Sequence, residues 1–418
     1  MKSPSLDGVF LGYGLVLVLG CCSFARADDW PAWRGPNRDG ICRETGLLQH
    51  WPAQGPKLLW KAAGLGEGYS GPAVVGTRLY TMGDKDGQEC VLALDVSRQG
   101  RQVWQSPIGP IRFRGNGYPG PRSTPTLDGH RLYTLGIAGD LVCMDARDGR
   151  LIWRHDLVKD FGGTRPNWGY AESVLLDGPW VVCTPGGRRN TIVALDKQTG
   201  KKVWGAAVGD PAEYSSVIKT TFGRSKQYVT LTKKGVIAVS AQDGKFLWRY
   251  AAPANRIANI ATCIWQGDTI FAASGYNTGG GLADIISSGD GFQAKQRYFV
   301  KKMQNHHGGL ILHDGMLYGC GNPNVLMCLD YQTGAVQWSD TSSGKCSLLF
   351  ADGMLYCRSE KGPISLVEAT PAGFHLRGRF QQPNRSAKNS WPHLVIANGV
   401  LYVRDQDVML AYDVRAAQ

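Results

Sequence analysis

The stretch CMDARDGRLIW, from Cys143 to Trp153, decides the fold. An apolar strand ends in an Asp, a Gly turn follows, and a second strand carries a Trp. The Asp suits capping of the turn, Gly supplies a positive φ, and Trp buries a large apolar area between neighbouring sheets. The same pattern recurs four more times: ALDVSRQGRQVW from Ala93, ALDKQTGKKVW from Ala194, AVSAQDGKFLW from Ala238 and CLDYQTGAVQW from Cys328.

A second pattern precedes the first one in each unit. It is a hairpin with Asp-Gly or a related pair at its turn, as in DGHRLY from Asp128 and DGMLY from Asp314 and Asp352. Such pairs between apolar runs are strong hairpin signals. Counting a looser hairpin around residues 222–229 gives eight units of about 45 residues, a period typical of four-stranded propeller blades. Two units are degenerate, with Tyr298 and Leu376 near the Trp position.

The two ends of the repeat region complement each other. The last unit stops after Asp413, before a fourth strand, whereas the chain offers an orphan fourth strand at residues 57–60, KLLW. Joining them closes a ring without free sheet edges. The sequence therefore predicts an all-β, eight-bladed β-propeller of four-stranded antiparallel blades over residues 58–418, closed by an N-terminal strand that completes the last blade. Residues 28–57 are expected to form an N-terminal extension.

The repeat resembles the tryptophan-docking repeat of the PQQ-like (pyrroloquinoline quinone) β-propellers, in the quinoprotein alcohol dehydrogenase-like superfamily. The resemblance covers residues 58–414. The superfamily includes dehydrogenases that use PQQ, the propeller lipoprotein of the outer-membrane barrel-assembly machinery, and many secreted proteins without an assigned role. The runs DWPAWRGP from Asp29 and NHHGG from Asn305 resemble the last group.

The N-terminus has the pattern of an export signal. An apolar run over residues 9–19 precedes Ala25-Arg26-Ala27, a small-x-small cleavage pattern, so residues 1–27 are predicted to be a signal peptide. Val18-Leu19-Gly20-Cys21 resembles a lipoprotein box, which makes Cys21 an alternative site for a lipid anchor. No later segment has the length of a transmembrane helix. We therefore expect an exported protein of the periplasm or cell envelope, either lipid-anchored or released.

Charge and cysteine usage exclude two classes of function. The formal net charge is +12, but the Lys and Arg residues are scattered through turns and form no stripe, so no nucleic-acid partner is predicted. The 11 cysteines lack the spacing of a zinc site. Most of them fall within predicted strands, where they serve as small buried side chains rather than as a disulfide framework.

Candidate binding residues come from the segments that lead into the first strand of each blade, because these segments converge on one mouth of the central channel. They are rich in aromatic, basic and amide side chains, a composition typical of binding sites. The alternative is that they only staple and solvate the rim. The candidates are Arg122, Trp168, Tyr170, Glu172, Tyr214, Asn259, His306, His307, Lys345, Trp391 and His393. Long loops at residues 112–122 and 275–281 are expected to form a lip.

Metal and catalytic sites are not predicted. His306 and His307 are adjacent on a predicted strand, so their side chains are expected to point to opposite faces and not to share a metal. Among the lead-in segments, only Glu172 offers a carboxylate. No GxSxG, HExxH or strand-turn-helix GxGxxG motif is present.

Two functions compete. The first is an exported, non-catalytic binding or scaffolding propeller that uses the channel mouth for a protein, peptide or glycan in the cell envelope. The second is a PQQ-dependent dehydrogenase that oxidises alcohols or sugars with the help of calcium. The family resemblance implies that such enzymes carry an adjacent Cys-Cys pair near the quinone and a carboxylate-rich calcium site. Here the adjacent pair is Cys21-Cys22, within the predicted signal. We therefore expect the binding function and no bound cofactor.

Overall fold

The computed structural model of the chain describes Met1, residues 29–289 and residues 291–416. Within these residues the strands form eight antiparallel sheets around a central channel, so the predicted propeller is confirmed. The predicted signal peptide and Cys21 lie outside the described residues. Among the described residues, no helix has the length and apolar character needed to cross a membrane.

Blades 1 to 4 each contain four consecutive strands. Blade 1 comprises Ala73–Val75, Arg78–Lys85, Gln88–Asp95 and Arg101–Pro110; blade 2 comprises Thr126–Asp128, Arg131–Leu135, Asp140–Asp145 and Leu151–Asp156; blade 3 comprises Leu175–Asp177, Trp180–Cys183, Ile192–Asp196 and Lys202–Ala206; blade 4 comprises Ile218–Phe222, Ser225–Thr232, Gly235–Ser240 and Phe246–Tyr250. The helices in the described chain are short: the α-helix Leu157–Phe161 and the 3₁₀ turns Val96–Arg98 and Gly115–Gly117.

Blades 5 to 8 complete the ring. Blade 5 comprises Ile264–Gln266, Thr269–Ser274, Gly279–Ser288 and Gly291–Val300; blade 6 comprises Asn305–His313, Met316–Gly321, Val325–Asp330 and Val336–Asp340; blade 7 comprises Cys346–Ala351, Met354–Ser359, Ile364–Glu368 and Leu376–Phe380; blade 8 comprises Val395–Ala397, Val400–Asp405, Val408–Asp413 and Lys57–Ala62. Strand Lys57–Ala62 pairs antiparallel with Val408–Asp413, which confirms the predicted ring closure.

One predicted loop is shorter than expected. Residues 275–281 were expected to form a lip, but Gly279–Ser288 is already a strand and pairs with Gly291–Val300 in a hairpin of two ten-residue strands. Residues 279–281 of this strand are glycines. A Cβ atom at these positions would clash with neighbouring side chains, including aromatic rings, and with the backbone. Only residues 275–278 remain as the turn at the mouth.

The Trp and Gly of the repeat contact each other between blades. Trp104 of blade 1 lies against Gly149 of blade 2, where an added Cβ would be 2.7 Å from the indole. The Nε1 atom of Trp104 donates a 3.2 Å hydrogen bond to the carbonyl of Ala146. In the degenerate blade 5, Tyr298 replaces Trp and its hydroxyl donates to the carbonyl of Tyr331 at 2.7 Å. The repeat thus encodes the joints between successive blades, because Gly both turns the chain at positive φ and leaves room for the ring.

The N-terminal segment, defined here as residues 29–48, crosses the channel. It is bonded to the inner parts of six blades and to the end of blade 8, through the partners Val74, Leu127, Val174, Thr262, Leu310, Phe350 and Val414. Its strand Ile41–Cys42 adds in parallel to blade 7. Because the contacted blades stand on opposite sides of the ring, the segment closes one end of the channel and leaves the other end as a mouth.

The interior is apolar and tightly packed between the sheets. The nine cysteines from Cys42 to Cys357 are buried, as expected for small apolar side chains within strands. Asp145, at the end of a third strand, accepts a hydrogen bond from the backbone N–H of Arg147, so it caps the turn as the sequence predicts.

Candidate functional site

A cavity of about 590 Å³ occupies the channel mouth. The strand order places two sets of chain segments there, the lead-ins to first strands and the turns between second and third strands. Trp33 and Arg34 of the N-terminal segment form its floor. Eight of the eleven predicted residues line it: Arg122, Trp168, Tyr214, His306, His307, Lys345, Trp391 and His393. A volume of this size is typical of small-molecule sites.

Three predicted candidates do not line the cavity. Tyr170 is 1% exposed and donates to the carbonyl of Pro185, within the packing of blades 2 and 3. Glu172 is buried and accepts hydrogen bonds from the backbone N–H and hydroxyl of Thr184. Asn259 is buried and bridges the carbonyls of Thr232 and Asn255. These side chains are saturated by the protein itself, and their placement gives them a structural role.

The sequence reasoning missed several lining residues. Tyr276, Asn322, Glu360 and Lys361 lie in turns between second and third strands, which return the chain to the mouth. Considering only the lead-in segments therefore left out half of the chain segments that reach this face. Trp33 and Arg34 lie in the DWPAWRGP run, but nothing in the repeat pattern indicates that this run enters the channel.

The expectation that the His306 and His307 side chains point to opposite faces was wrong. Both side chains line the cavity, and their Nδ1 atoms are 3.4 Å apart. The strand is irregular here: Asn305 pairs with Gly321 but Leu310 pairs with Gly319, so residues 306–309 bulge out of the ladder. A bulge breaks the strict alternation of side chains and re-aims them.

Aromatic rings form one wall of the cavity. Trp391 lies between Tyr69 and Tyr118, with ring centroids 4.8 Å from each. Tyr118 belongs to the lip over residues 112–122, and the guanidinium of Arg122 lies 5.7 Å from the Tyr69 ring centroid. Across the mouth, Trp168 and Tyr214 form a second aromatic pair at 6.1 Å. Amphipathic rings of this kind offer apolar faces to a ligand.

The carboxylate of Glu360 is held within the protein. One oxygen accepts a 2.6 Å hydrogen bond from Trp391 Nε1, and the other lies 3.0 Å from Lys345 Nζ. Glu360 is the single carboxylate among the described residues that line the cavity. Since its charge is balanced by Lys345, it contributes little negative potential to the cavity.

The histidines of the cavity are kept neutral. Burial lowers the pKa of His306 to about 4, helped by the positive charge of Lys345. Burial, together with the charge of Arg34, lowers the pKa of His393 to about 3. The pKa of His307 is also far below its ordinary value, mainly because of burial. A neutral imidazole can both donate and accept hydrogen bonds, so these rings can bond to neighbouring groups of the protein.

Nothing in the described chain is arranged as a metal site, since no three His, Cys, Asp or Glu side chains are grouped to hold an ion. His306 Nε2 instead bonds to the hydroxyl of Tyr276 at 2.9 Å, and His393 Nε2 to the carbonyl of His307 at 2.8 Å. What the arrangement offers is a pocket with aromatic walls, cationic groups at its floor and rim, and neutral hydrogen-bonding groups between them.

Solved structures share this fold. BamB from Moraxella catarrhalis matches with a TM-score of 0.63 at 14% identity, over 87% of this chain and 98% of that one. Quinohemoprotein alcohol dehydrogenase from Comamonas testosteroni matches with a TM-score of 0.68 at 12% identity, over 94% of this chain and 82% of that one. Identities this low establish a common propeller and no common activity.

Curated relatives match over shorter regions. Polyvinylalcohol dehydrogenase from a Pseudomonas species is 22% identical over 254 residues, which cover 53% of this chain and 34% of that protein. Outer membrane protein assembly factor BamB from Kangiella koreensis is 33% identical over 82 residues, covering 20% of this chain and 18% of that protein. The matched region thus spans about a third or less of either relative.

A match to a family model shows the protein family to which this chain belongs. The model described as "Outer membrane protein assembly factor BamB" matches residues 87–340, more than half of the chain and most of blades 1 to 6. The matched residues contain the repeat that begins at Ala93 and recurs through Cys328, and in the structure that repeat forms the joints between blades. The chain is therefore a member of the BamB-like family of PQQ-repeat β-propellers.

Proposed function

We propose that the protein is an exported binding propeller of the cell envelope, which takes a ligand into the cavity at its channel mouth without transforming it. Support for the location comes from the predicted signal peptide and from the similarity to outer membrane protein assembly factors. Support for binding comes from the cavity itself, which is closed below by the N-terminal segment and is open at the mouth.

The observation that carries the proposal is the state of the polar groups in the cavity. Glu360 is bound by Lys345 and Trp391, His306 is bonded to the hydroxyl of Tyr276, and His393 is bonded to the carbonyl of His307. The His307 Nδ1 atom lies 3.4 Å from His306 Nδ1, and its Nε2 atom has no partner but is buried away from solvent. A general base needs a free acceptor next to the proton that it removes. Groups that hold each other in this way fix the shape of a pocket, and the exposed aromatic faces and cations remain for a ligand.

The competing proposal is a quinoprotein dehydrogenase, which the similarity to polyvinylalcohol dehydrogenase and to solved alcohol dehydrogenases supports. The PQQ enzyme considered from the sequence would act with the help of calcium. Calcium takes six to eight oxygen ligands, with carboxylates prominent among them. Within the described cavity lining, the one carboxylate is Glu360, which already faces an ammonium group at 3.0 Å. The residues present do not fit a calcium site, so we propose no PQQ-dependent step.

Two assays separate the proposals. Purified protein is incubated with PQQ, calcium and either a primary alcohol or polyvinyl alcohol, and reduction of an electron-accepting dye is followed. We expect no PQQ-dependent reduction. Tryptophan fluorescence is then titrated with short peptides and with neutral and acidic oligosaccharides, because Trp168 and Trp391 line the cavity. A saturable change is expected with one class of ligand, and a Trp391→Phe variant should lose part of it.

A matched variant controls the fluorescence assay. Trp265 stacks on Trp248 between blades 5 and 4 and does not line the cavity. Trp265→Phe removes one indole but should leave the saturable change intact. Dye reduction that depends on added PQQ would overturn the binding proposal and favour the dehydrogenase.

The same proposal covers export. We expect the mature chain to be recovered from the cell envelope, beginning either at Asp28 or at a lipid-modified Cys21. Intact mass measurement distinguishes the two forms, since lipidation adds the mass of the acyl chains and changes the first residue. Recovery of envelope protein that still begins at Met1 would contradict both forms of processing.

A further inference from the structure

The floor of the cavity carries a guanidinium, that of Arg34, which forms no salt bridge with any carboxylate in the described part of the chain. Arg34 is 4% exposed, and its Nη2 donates to the carbonyls of Asp39 and Leu310. Its Nε and Nη1 have no hydrogen-bond partner. The nearby Asp39 is instead paired with Arg43 at 2.8 Å. Burying a cation without a carboxylate is unfavourable unless some other anion compensates it.

The rim carries a second unpaired guanidinium. Arg122 donates to the carbonyls of Gly120 at 3.3 Å and Tyr118 at 2.5 Å, and like Arg34 it forms no ion pair with any described carboxylate. Lys361, an exposed lining residue, also lacks an ion pair within the described chain. Since Lys345 and Glu360 balance each other, the lining has a net positive charge at two levels, floor and rim.

The remaining groups suit a hydroxylated ligand with flat apolar faces. Tyr69 and Tyr118 flank Trp391, and Trp168 with Tyr214 stands on the opposite wall. Sugar rings present such faces to aromatic side chains, and their hydroxyls suit the side-chain amides of Asn322 and Asn389 in the lining. The closed floor limits the site to a short or chain-end ligand, because a polymer cannot pass through the channel.

We propose that the cavity binds a short acidic oligosaccharide, a sugar chain that carries carboxylate groups, with Arg122 and Arg34 compensating its charge. This inference rests on the proposed binding function and names its ligand class. An acidic peptide would also meet the cations, but a short Glu-rich peptide lacks the flat ring faces that the aromatic walls suit.

The test is calorimetric titration of the full mature chain with a galacturonic acid trimer. Its matched probe is the same trimer with its carboxylates reduced to alcohols. We expect the acidic trimer to bind at least about tenfold more tightly at low salt, as one charge-assisted hydrogen bond would give. A higher salt concentration should reduce the difference in affinity between the acidic and the reduced trimer.

Variants locate the effect in the cavity. Arg122→Gln should weaken binding of the acidic trimer about tenfold and leave the neutral trimer unchanged. Arg131→Gln is the control, because Arg131 is a basic residue outside the cavity that donates to the carbonyl of Gln198. Lys361→Gln tests the same effect of positive charge on binding of the acidic trimer. Lys361 is exposed, so this substitution does not put folding at risk.

Three results would overturn the inference in different ways. Equal binding of both trimers would remove the charge argument while leaving a saccharide site. Binding of a short Glu-rich peptide in preference to either trimer would refute the saccharide class but keep the proposed binding function. Absence of binding for all of these probes would contradict the binding function as well.

Discussion

The indole of Trp391 and the carboxylate of Glu360 are joined by a 2.6 Å hydrogen bond, which fixes the ring at the centre of the aromatic wall. Glu360 can hold the ring in this way because its second oxygen is compensated by Lys345. The carboxylate is thus a structural anchor, and its charge is hidden from the cavity by the ammonium group.

Replacing Glu360 by Gln tests this assignment. The amide oxygen still accepts from Trp391, but Lys345 loses its counter-charge and the cavity gains one positive charge. We expect severalfold tighter binding of the acidic trimer and a melting temperature lowered by a few degrees, because a half-buried cation is left unpaired. Calorimetric titration and thermal melting measure the two effects. Weaker binding would show that Glu360 itself contacts the ligand.

The control for this variant is Asp284→Asn. Asp284 pairs with Arg297 in the outer hairpin of blade 5, so it is also an acidic residue in an ion pair, but it does not line the cavity. Its replacement should leave trimer binding unchanged. A similar gain in affinity for both variants would point to long-range attraction rather than to the cavity.

Gly309 keeps the floor in place. Its φ is +70°, and an added Cβ would lie 2.1 Å from Arg34 Nη1 and 3.1 Å from His393 Cε1. Gly315 of the same blade has a φ of +75° and nothing within 4 Å. Gly315→Ala should therefore lower the unfolding free energy by about 1 kcal/mol through backbone strain alone. Gly309→Ala should lower the unfolding free energy by clearly more than Gly315→Ala does, as measured by urea unfolding.

Trypsin gives a second readout for the same pair of variants. Displacing Arg34 should expose the N-terminal segment to cleavage after Arg34 or Arg38, which are both buried in the intact protein. We expect faster cleavage in Gly309→Ala than in Gly315→Ala. Equal stability and equal cleavage rates would mean that the floor tolerates displacement of the guanidinium.

Trp60 closes the ring. It is 9% exposed, pairs with Ala411, lies against Gly100 of blade 1 and is 5.9 Å from the ring of Tyr402. Trp60→Ala should lower the unfolding free energy by about 3–5 kcal/mol. Val103→Ala is the comparison, because Val103 lies in the outer strand of blade 1 and is 43% exposed. Equal losses for the two would contradict a special role of the closing strand.

Glu89 makes stability depend on pH. Burial raises the pKa of its carboxyl to about 8, partly offset by the hydrogen bond that it accepts from the backbone N–H of Ile137. The folded protein therefore holds a proton that the unfolded chain releases above about pH 4.5. This contribution to stability is complete at low pH and is lost as pH rises to about 8, at about 1.4 kcal/mol per pH unit.

A Glu89→Gln variant removes this titration. The free energy of unfolding, measured by urea at several pH values between 5 and 9, should increase in the variant relative to the original chain as pH rises, and the difference should level off above pH 8. The neutral histidines titrate in both proteins, so their effect cancels in the comparison. Parallel curves across this range would show that Glu89 is ionised in the folded state.

The fold was predictable because its determinants are local. An Asp cap such as Asp145, a turn such as Gly149 and a ring such as Trp104 repeat at a fixed spacing, and the Trp of one blade packs against the Gly of the next. The site was predictable only in part, because loop conformation decides it. The bulge at residues 306–309 turned both histidines inward, and Glu360 reached the mouth from a turn that the repeat pattern does not distinguish from others.

The ring closure has a consequence for the timing of folding. Strand Lys57–Ala62 finds its partner only when Val408–Asp413 has been made, and the N-terminal segment spans blades that must already be assembled. Contacts so distant along the chain form slowly, because a long loop must be ordered before they contribute. The residues that leave the ribosome first are thus the last to find their places. Until then blade 8 lacks its fourth strand and presents an open sheet edge, so we expect a chain in transit to need protection from aggregation until its final residues arrive.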